Sequence, residues 1–180
     1  MTPVTASRPP IRLFAMDVDG TLTDGVMVCS SNGDDSKSFH AKDGQGIKLL
    51  ARAGIVPAII SGRASGATTR RAQELGIEHV HQAEGDKAAR LLAVCETLGL
   101  RLDEAAFVGD DLSDLAAMRA AGWSAAPADA APETRAAATF VASAAGGHGA
   151  VREAIEALLR AQGAWDDVVA QFEPTREEAR

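Results

Sequence analysis

The run Phe14-Ala15-Met16-Asp17-Val18-Asp19-Gly20-Thr21-Leu22-Thr23-Asp24-Gly25 carries more information than any other part of the chain. The apolar residues Ile11 to Met16 predict a buried strand, and Asp17 and Asp19 stand where it ends. In a parallel sheet the carboxyl ends of the strands are where ligands bind. Gly20 permits the tight turn that must follow. Two adjacent carboxylates with no basic neighbour repel each other and invite a hard cation such as Mg²⁺. A carboxylate in such a place can also attack phosphorus and form an aspartyl-phosphate.

From this point strand and helix patterns alternate along the chain. Ile55 to Ile60, Ile77 to His81, Ala105 to Val108, Trp123 to Ala126 and Thr139 to Val141 read as strands. Gly44 to Ala53, Ala64 to Leu75, Lys87 to Leu98, Ser113 to Ala121 and Ala150 to Ala161 read as helices. Asp43 is placed to cap the first helix and Gly54 to end it. Leu91, Leu92, Cys95 and Leu98 recur at helical spacing on the third. The alternation predicts an α/β fold, Rossmann-like, with a mostly parallel sheet flanked by helices. Residues 24–42 interrupt it: Val26-Met27-Val28 and Lys37-Ser38-Phe39 flank an Asn32-Gly33 turn, the signature of a β-hairpin. Its apolar edge calls for a partner.

Three further motifs fall at predicted strand ends. Ser61-Gly62-Arg63 closes one strand and opens a helix, where a hydroxyl and free N–H groups make a phosphate cradle. Lys87 begins another helix; in a chain with four lysines and fourteen arginines, an ammonium there suits a phosphoryl group. Val108-Gly109-Asp110-Asp111-Leu112-Ser113-Asp114 ends a strand with three more acids. Asp17, the backbone carbonyl of Asp19 and one of the acids Asp110, Asp111 and Asp114 would supply the few protein oxygens that Mg²⁺ takes.

Together these four motifs resemble the haloacid dehalogenase-like phosphohydrolases over nearly the whole chain. The gaps from Asp17 to Ser61 and from Ser61 to Lys87 leave no room for a large helical cap domain, so only the hairpin about 24–42 can serve as a flap. Finer similarity points to the 3-deoxy-D-manno-octulosonate 8-phosphate (KDO 8-phosphate) phosphatases. It is carried by Phe39-His40-Ala41-Lys42-Asp43-Gly44-Gln45-Gly46-Ile47 and by Gly146-Gly147-His148-Gly149-Ala150-Val151-Arg152-Glu153. The resemblance implies Asp17 as nucleophile and Asp19 as general acid and base. It implies Ser61, Gly62 and Lys87 as phosphate ligands, Asp110 as the acid of its loop that binds the metal, and Asp111 and Asp114 as supports for the metal site. Lys42, Asp43, Arg63 and His148 become candidate substrate contacts. The family also implies a homotetramer in which hairpins pack together and a neighbour's tail helps enclose the site, on a pathway to lipopolysaccharide. Two positions depart from the pattern: His40 stands for an Asn and His148 for an Arg that would grip an anion with a permanent charge. The rival readings are the same chemistry on a nonulosonate 9-phosphate and a non-catalytic binding module of the same fold. A dinucleotide binder is excluded, because no GxGxxG follows the first strand.

Composition is that of a soluble globular protein of one domain: 180 residues, 46% hydrophobic and 24% charged. The net charge of −7 argues against a nucleic-acid partner. Met1 to Pro10 lacks the apolar core of a signal peptide, and no apolar run is long enough for a membrane span. Cys29 and Cys95 form no CxxC, so the expected address is the cytoplasm. The expected organisation is a disordered N-terminus (1–10), one phosphatase domain (11–162) and a flexible tail (163–180). His79 and His81 alternate on one strand with no third ligand in view and read as surface residues.

Overall fold

A computed structural model describes residues 9–29 and 35–172; for Cys29 and Asp35 only the backbone is described. The expected Asn32-Gly33 turn, and the expected disorder of residues 1–8 and of 173–180, lie outside the described residues. Six parallel strands form the main sheet: β1 (Leu13–Met16), β4 (Val56–Ile60), β5 (His79–His81), β6 (Ala105–Val108), β7 (Trp123–Ala126) and β8 (Phe140–Val141). Their order is β5-β4-β1-β6-β7-β8. A separate antiparallel pair, β2 (Val28–Cys29) and β3 (Asp35–Ser36), matches Val28 to Ser36.

β1 lies at the centre because all four of its residues are apolar and none is exposed. Its side chains alternate between two cores. Phe14 and Met16 face a core shared with Ile47, Leu50, Ile155 and Leu158 of α1 (Ala41–Arg52) and α6 (Ala150–Ala161). Leu13 and Ala15 face the other, with Leu91 and Cys95 of α3 (Lys87–Leu98) and Met118 of α4 (Leu115–Ala120). The chain leaves β1 to one side for β4 and β5, and to the other for β6 to β8. That reversal opens a crevice at the carboxyl end of β1, beside Asp17.

Several boundaries differ from the sequence reading. α1 begins at Ala41 with His40 as its N-cap, so Asp43 does not cap it. Asp43, buried in the first turn of α1, instead accepts N–H bonds from Gly149 (3.3 Å) and Arg152 (2.7 Å). It therefore caps α6, whose own N-cap residue, Gly149, has no side chain to do so. α2 (Gly66–Leu75) starts behind a Ser65 cap, and α5 (Pro132–Ala137) escaped the reading because one and a half turns give no periodicity. Past Gly163, α7 (Trp165–Ala170) buries Val168 in the first core and packs Trp165 against it, a helix too short to register as a pattern.

Candidate active site

The crevice is built on the turn that ends β1. The carbonyl of Val18 accepts the N–H groups of Thr21, Leu22 and Thr23 at 3.2, 2.9 and 3.0 Å, a knot that requires Gly20 at φ +84°. Space also demands this glycine, because a Cβ there would fall 2.0 Å from Oδ2 of Asp110. Loop 144–149 braces the same turn from outside. A Cβ on Gly146 would lie 1.8 Å from the carbonyl oxygen of Gly20, and Gly147 donates its N–H to Thr21 at 3.1 Å. The Gly146-Gly147 pair thus answers a close backbone approach.

Behind the turn sits a buried charge network. Lys87 Nζ reaches Asp17 at 3.0 Å and Asp114 at 2.6 Å, with its side chain 4% exposed. The other oxygen of Asp114 accepts the backbone N–H groups of Asp110 (3.0 Å) and Asp111 (3.2 Å). Asp114 therefore fixes the Val108–Leu115 loop, and Gly109 makes room for its side chain. Asp110 accepts a bond from the Thr21 hydroxyl at 3.0 Å. Burial, then the charge of Asp114, pushes the Asp17 carboxyl up to about 6, although Lys87 partly offsets both. Burial, then Asp17 and Asp114, pushes Asp110 up to about 7. Burial pulls Lys87 down, but the two facing carboxylates outweigh it and hold the ammonium above the ordinary lysine value.

Oxygen atoms of Asp17, Asp110 and Asp114 lie within 4.8 Å of one another. Three carboxylates sharing one ammonium are short of positive charge, and a divalent cation supplies it. Asp114 is already committed to Lys87 and two N–H groups, so the donors that fit a cation are Asp17 and Asp110, with the Asp19 carbonyl as the expected third.

A polar cavity of about 200 Å³ opens over this network. Asp17, Asp19, Ser61, Gly62, Lys87 and Asp110 line it, together with Arg63, Asp111 and Ser113. Ser61 is buried at the end of β4 and accepts the Arg63 N–H at 3.4 Å. A larger cavity, about 380 Å³, lies at the opposite end of the sheet around Ile11, Trp123 and Leu158, and no ionisable side chain lines it.

Three candidate substrate contacts fall outside the polar cavity. Lys42 is exposed on the first turn of α1, and Asp43 is occupied at the end of α6. His148 is exposed, its Nδ1 pairing with the Gly146 carbonyl at 2.8 Å. His79 and His81 are half-buried on edge strand β5 and join no metal-competent cluster among the described residues. Conversely, Lys37 of the hairpin was missed. Its ammonium pairs with Asp19, while Arg63 approaches the other oxygen of that carboxylate at 3.8 Å. No spacing rule connects positions 19 and 37; the hairpin has to fold back before they meet.

Comparison with known proteins agrees with this geometry. Residues 40–122 match the haloacid dehalogenase-like hydrolase family. The chain is 40% identical to the 3-deoxy-D-manno-octulosonate 8-phosphate phosphatase KdsC of Escherichia coli K12 over 168 residues, 93% of this chain and 89% of the relative. It is 44% identical to the corresponding phosphatase of Moraxella catarrhalis, whose crystal structure contains magnesium, phosphate and KDO. That match has a TM-score of 0.87 and covers 91% of this chain and 94% of the other. The cobalt-bound phosphatase of Haemophilus influenzae is 40% identical with a TM-score of 0.83, covering 86% and 91% of the two chains. With the acid pair at the end of β1, the buried Lys87 and these relatives in agreement, the chain belongs to the haloacid dehalogenase-like hydrolases and, within them, to the family of the 3-deoxy-D-manno-octulosonate 8-phosphate phosphatases.

Proposed function

We propose that the protein is a Mg²⁺-dependent phosphatase that hydrolyses KDO 8-phosphate to KDO and inorganic phosphate. The observation that carries this reading is that one polar cavity brings Asp17, Asp19, Ser61, Lys87 and Asp110 together, in a chain so similar to a KDO-bound phosphatase. In the reaction, Asp17 attacks phosphorus in line, and the bond from phosphorus to the sugar oxygen breaks. Asp19 gives that oxygen its proton. Water then attacks the aspartyl-phosphate and yields a proton to Asp19, which frees inorganic phosphate and restores the Asp17 carboxylate. The bound cation would neutralise charge on the phosphoryl oxygens and orient them. Ser61, the Gly62 N–H and Lys87 hold the remaining oxygens, and Lys87 keeps Asp17 aimed from behind. Asp114 holds the Asp110 loop by its backbone N–H groups, and the Asp111 carboxylate accepts the Leu112 N–H of the same loop.

Among the described residues no large cap domain covers the cavity. Val26 and Val28 of the hairpin are 62% and 57% exposed, an apolar edge that a second copy would cover. We therefore propose a homotetramer assembled through hairpins, with Lys42 or His148 reaching substrate from a neighbouring copy. A cytoplasmic role in lipopolysaccharide synthesis goes with this substrate, and no helix among the described residues is long and apolar enough to cross a membrane. The test is steady-state kinetics on phosphorylated eight- and nine-carbon ulosonates with Mg²⁺. A clear kcat/KM preference for KDO 8-phosphate supports the assignment, and a preference for a nonulosonate 9-phosphate replaces it.

A further inference from the structure

Lys37 has a burial that the proposed chemistry does not yet use. Along residues 36–39 exposure alternates: Ser36 and Ser38 face out, while Lys37 and Phe39 turn in. Phe39 packs against the core. Lys37 goes to the crevice, where its side chain is 3% exposed and pairs with Oδ1 of Asp19. A buried ammonium is costly unless paired, so the return strand of the hairpin is fastened at this carboxylate. Oδ2 of Asp19 faces Arg63 at 3.8 Å, from the loop after β4. Asp19 sits inside the Val18–Thr23 turn, and among the described contacts Lys37 and Arg63 alone meet its carboxylate and fix its plane.

We propose that Lys37 is a positioning residue for Asp19, one that sets the direction in which the carboxylate exchanges protons with the leaving oxygen and the attacking water. The inference rests on the catalytic reading above. Lys37 touches neither Asp17 nor the phosphate cradle among its described contacts, so the attack by Asp17 should proceed without it. The hairpin thereby acts as more than a cover, since its seating determines whether the acid/base group is aimed.

The test compares Lys37→Met, Lys37→Arg, Asp19→Asn and the double variant Asp19→Asn/Lys37→Met. Turnover of KDO 8-phosphate, whose alkoxide must be protonated, should fall at least about tenfold in Lys37→Met, with KM changed by less than about threefold. The first-turnover burst with 4-nitrophenyl phosphate, whose leaving group needs no proton, should stay within about twofold of wild type. Lys37→Arg should recover most of the loss. In the Asp19→Asn background, adding Lys37→Met should cost nothing further. Equal losses on both substrates, an additive double variant, or a KM rise confined to the sugar acid would overturn the proposal, the last by making Lys37 a substrate ligand. Should Lys37→Met not fold by circular dichroism, Lys37→Arg on the Asp19→Asn background gives the same cycle: any change there overturns it. Full activity in Asp19→Asn itself would instead refute the catalytic reading and is distinguishable from failure at Lys37.

Discussion

Gly20→Ala places the smallest possible side chain at the most crowded point of the crevice. The new Cβ would stand 2.0 Å from Oδ2 and 2.6 Å from Cγ of Asp110, where ordinary contact begins at 3.4 Å. The Asp110 carboxyl must retreat by more than an ångström and give up its 3.0 Å bond from Thr21. Two costs separate cleanly. Holding alanine at φ +84° costs about 1–2 kcal/mol, which lowers Tm by roughly 2–8 °C in a domain of this size. Displacing a cation ligand costs about ten- to a hundredfold in metal affinity, the usual penalty for a disturbed ligand. The assay is 4-nitrophenyl phosphate turnover against Mg²⁺ concentration, with thermal melts in EDTA and in Mg²⁺. Gly20→Ala should raise the half-saturating Mg²⁺ at least about tenfold and recover part of its activity at high Mg²⁺. An unchanged Mg²⁺ midpoint with a depressed plateau would refute Asp110 as a metal ligand, because its carboxyl would have moved without consequence for the ion.

Three further outcomes are expected. Lys87→Met leaves Asp17 and Asp114 facing each other without a cation, so it should abolish turnover and cost about 3–5 kcal/mol in denaturant unfolding, part of it regained in Mg²⁺. Asp43→Ala removes the α6 cap and should cost about 1–2 kcal/mol while KM for KDO 8-phosphate stays at the wild-type value; a raised KM with unchanged stability would return Asp43 to the substrate site. In EDTA, Asp17 and Asp110 keep protons up to about 6 and 7 when folded but lose them near 4 when unfolded. Over that window the folded state binds more protons, so stability falls as pH rises from 4 to 7. Asp110→Asn should remove about 2 kcal/mol of that fall, the figure allowing for the partial exposure of the group; identical slopes for the two proteins would contradict the burial.

How much of this was legible depends on how local each feature is. The βαβ alternation and the motifs at Asp17, Ser61, Lys87 and Asp110 are set by contiguous residues, and the sheet places them at one end of neighbouring strands. Asp43 misled because a carboxylate near a helix start reads as that helix's own cap, whereas the α1–α6 contact turns it onto another helix. The Gly146-Gly147 pair enters the sequence reading only within a family-like segment, whereas its glycines answer to a backbone contact with the turn at Gly20 that no local pattern encodes. Lys37 was invisible for the same reason: only the folded hairpin brings it to Asp19.

The central claim is that Asp17 becomes phosphorylated, and borohydride trapping tests it most directly. An acyl phosphate is reduced by borohydride to the alcohol, turning the aspartate into homoserine, which peptide mass spectrometry locates. Quenching the enzyme during turnover of KDO 8-phosphate with Mg²⁺ should give homoserine at position 17 alone, and none when substrate is omitted. Steady turnover with no homoserine, or homoserine at Asp19 or Asp110 instead, would contradict the account.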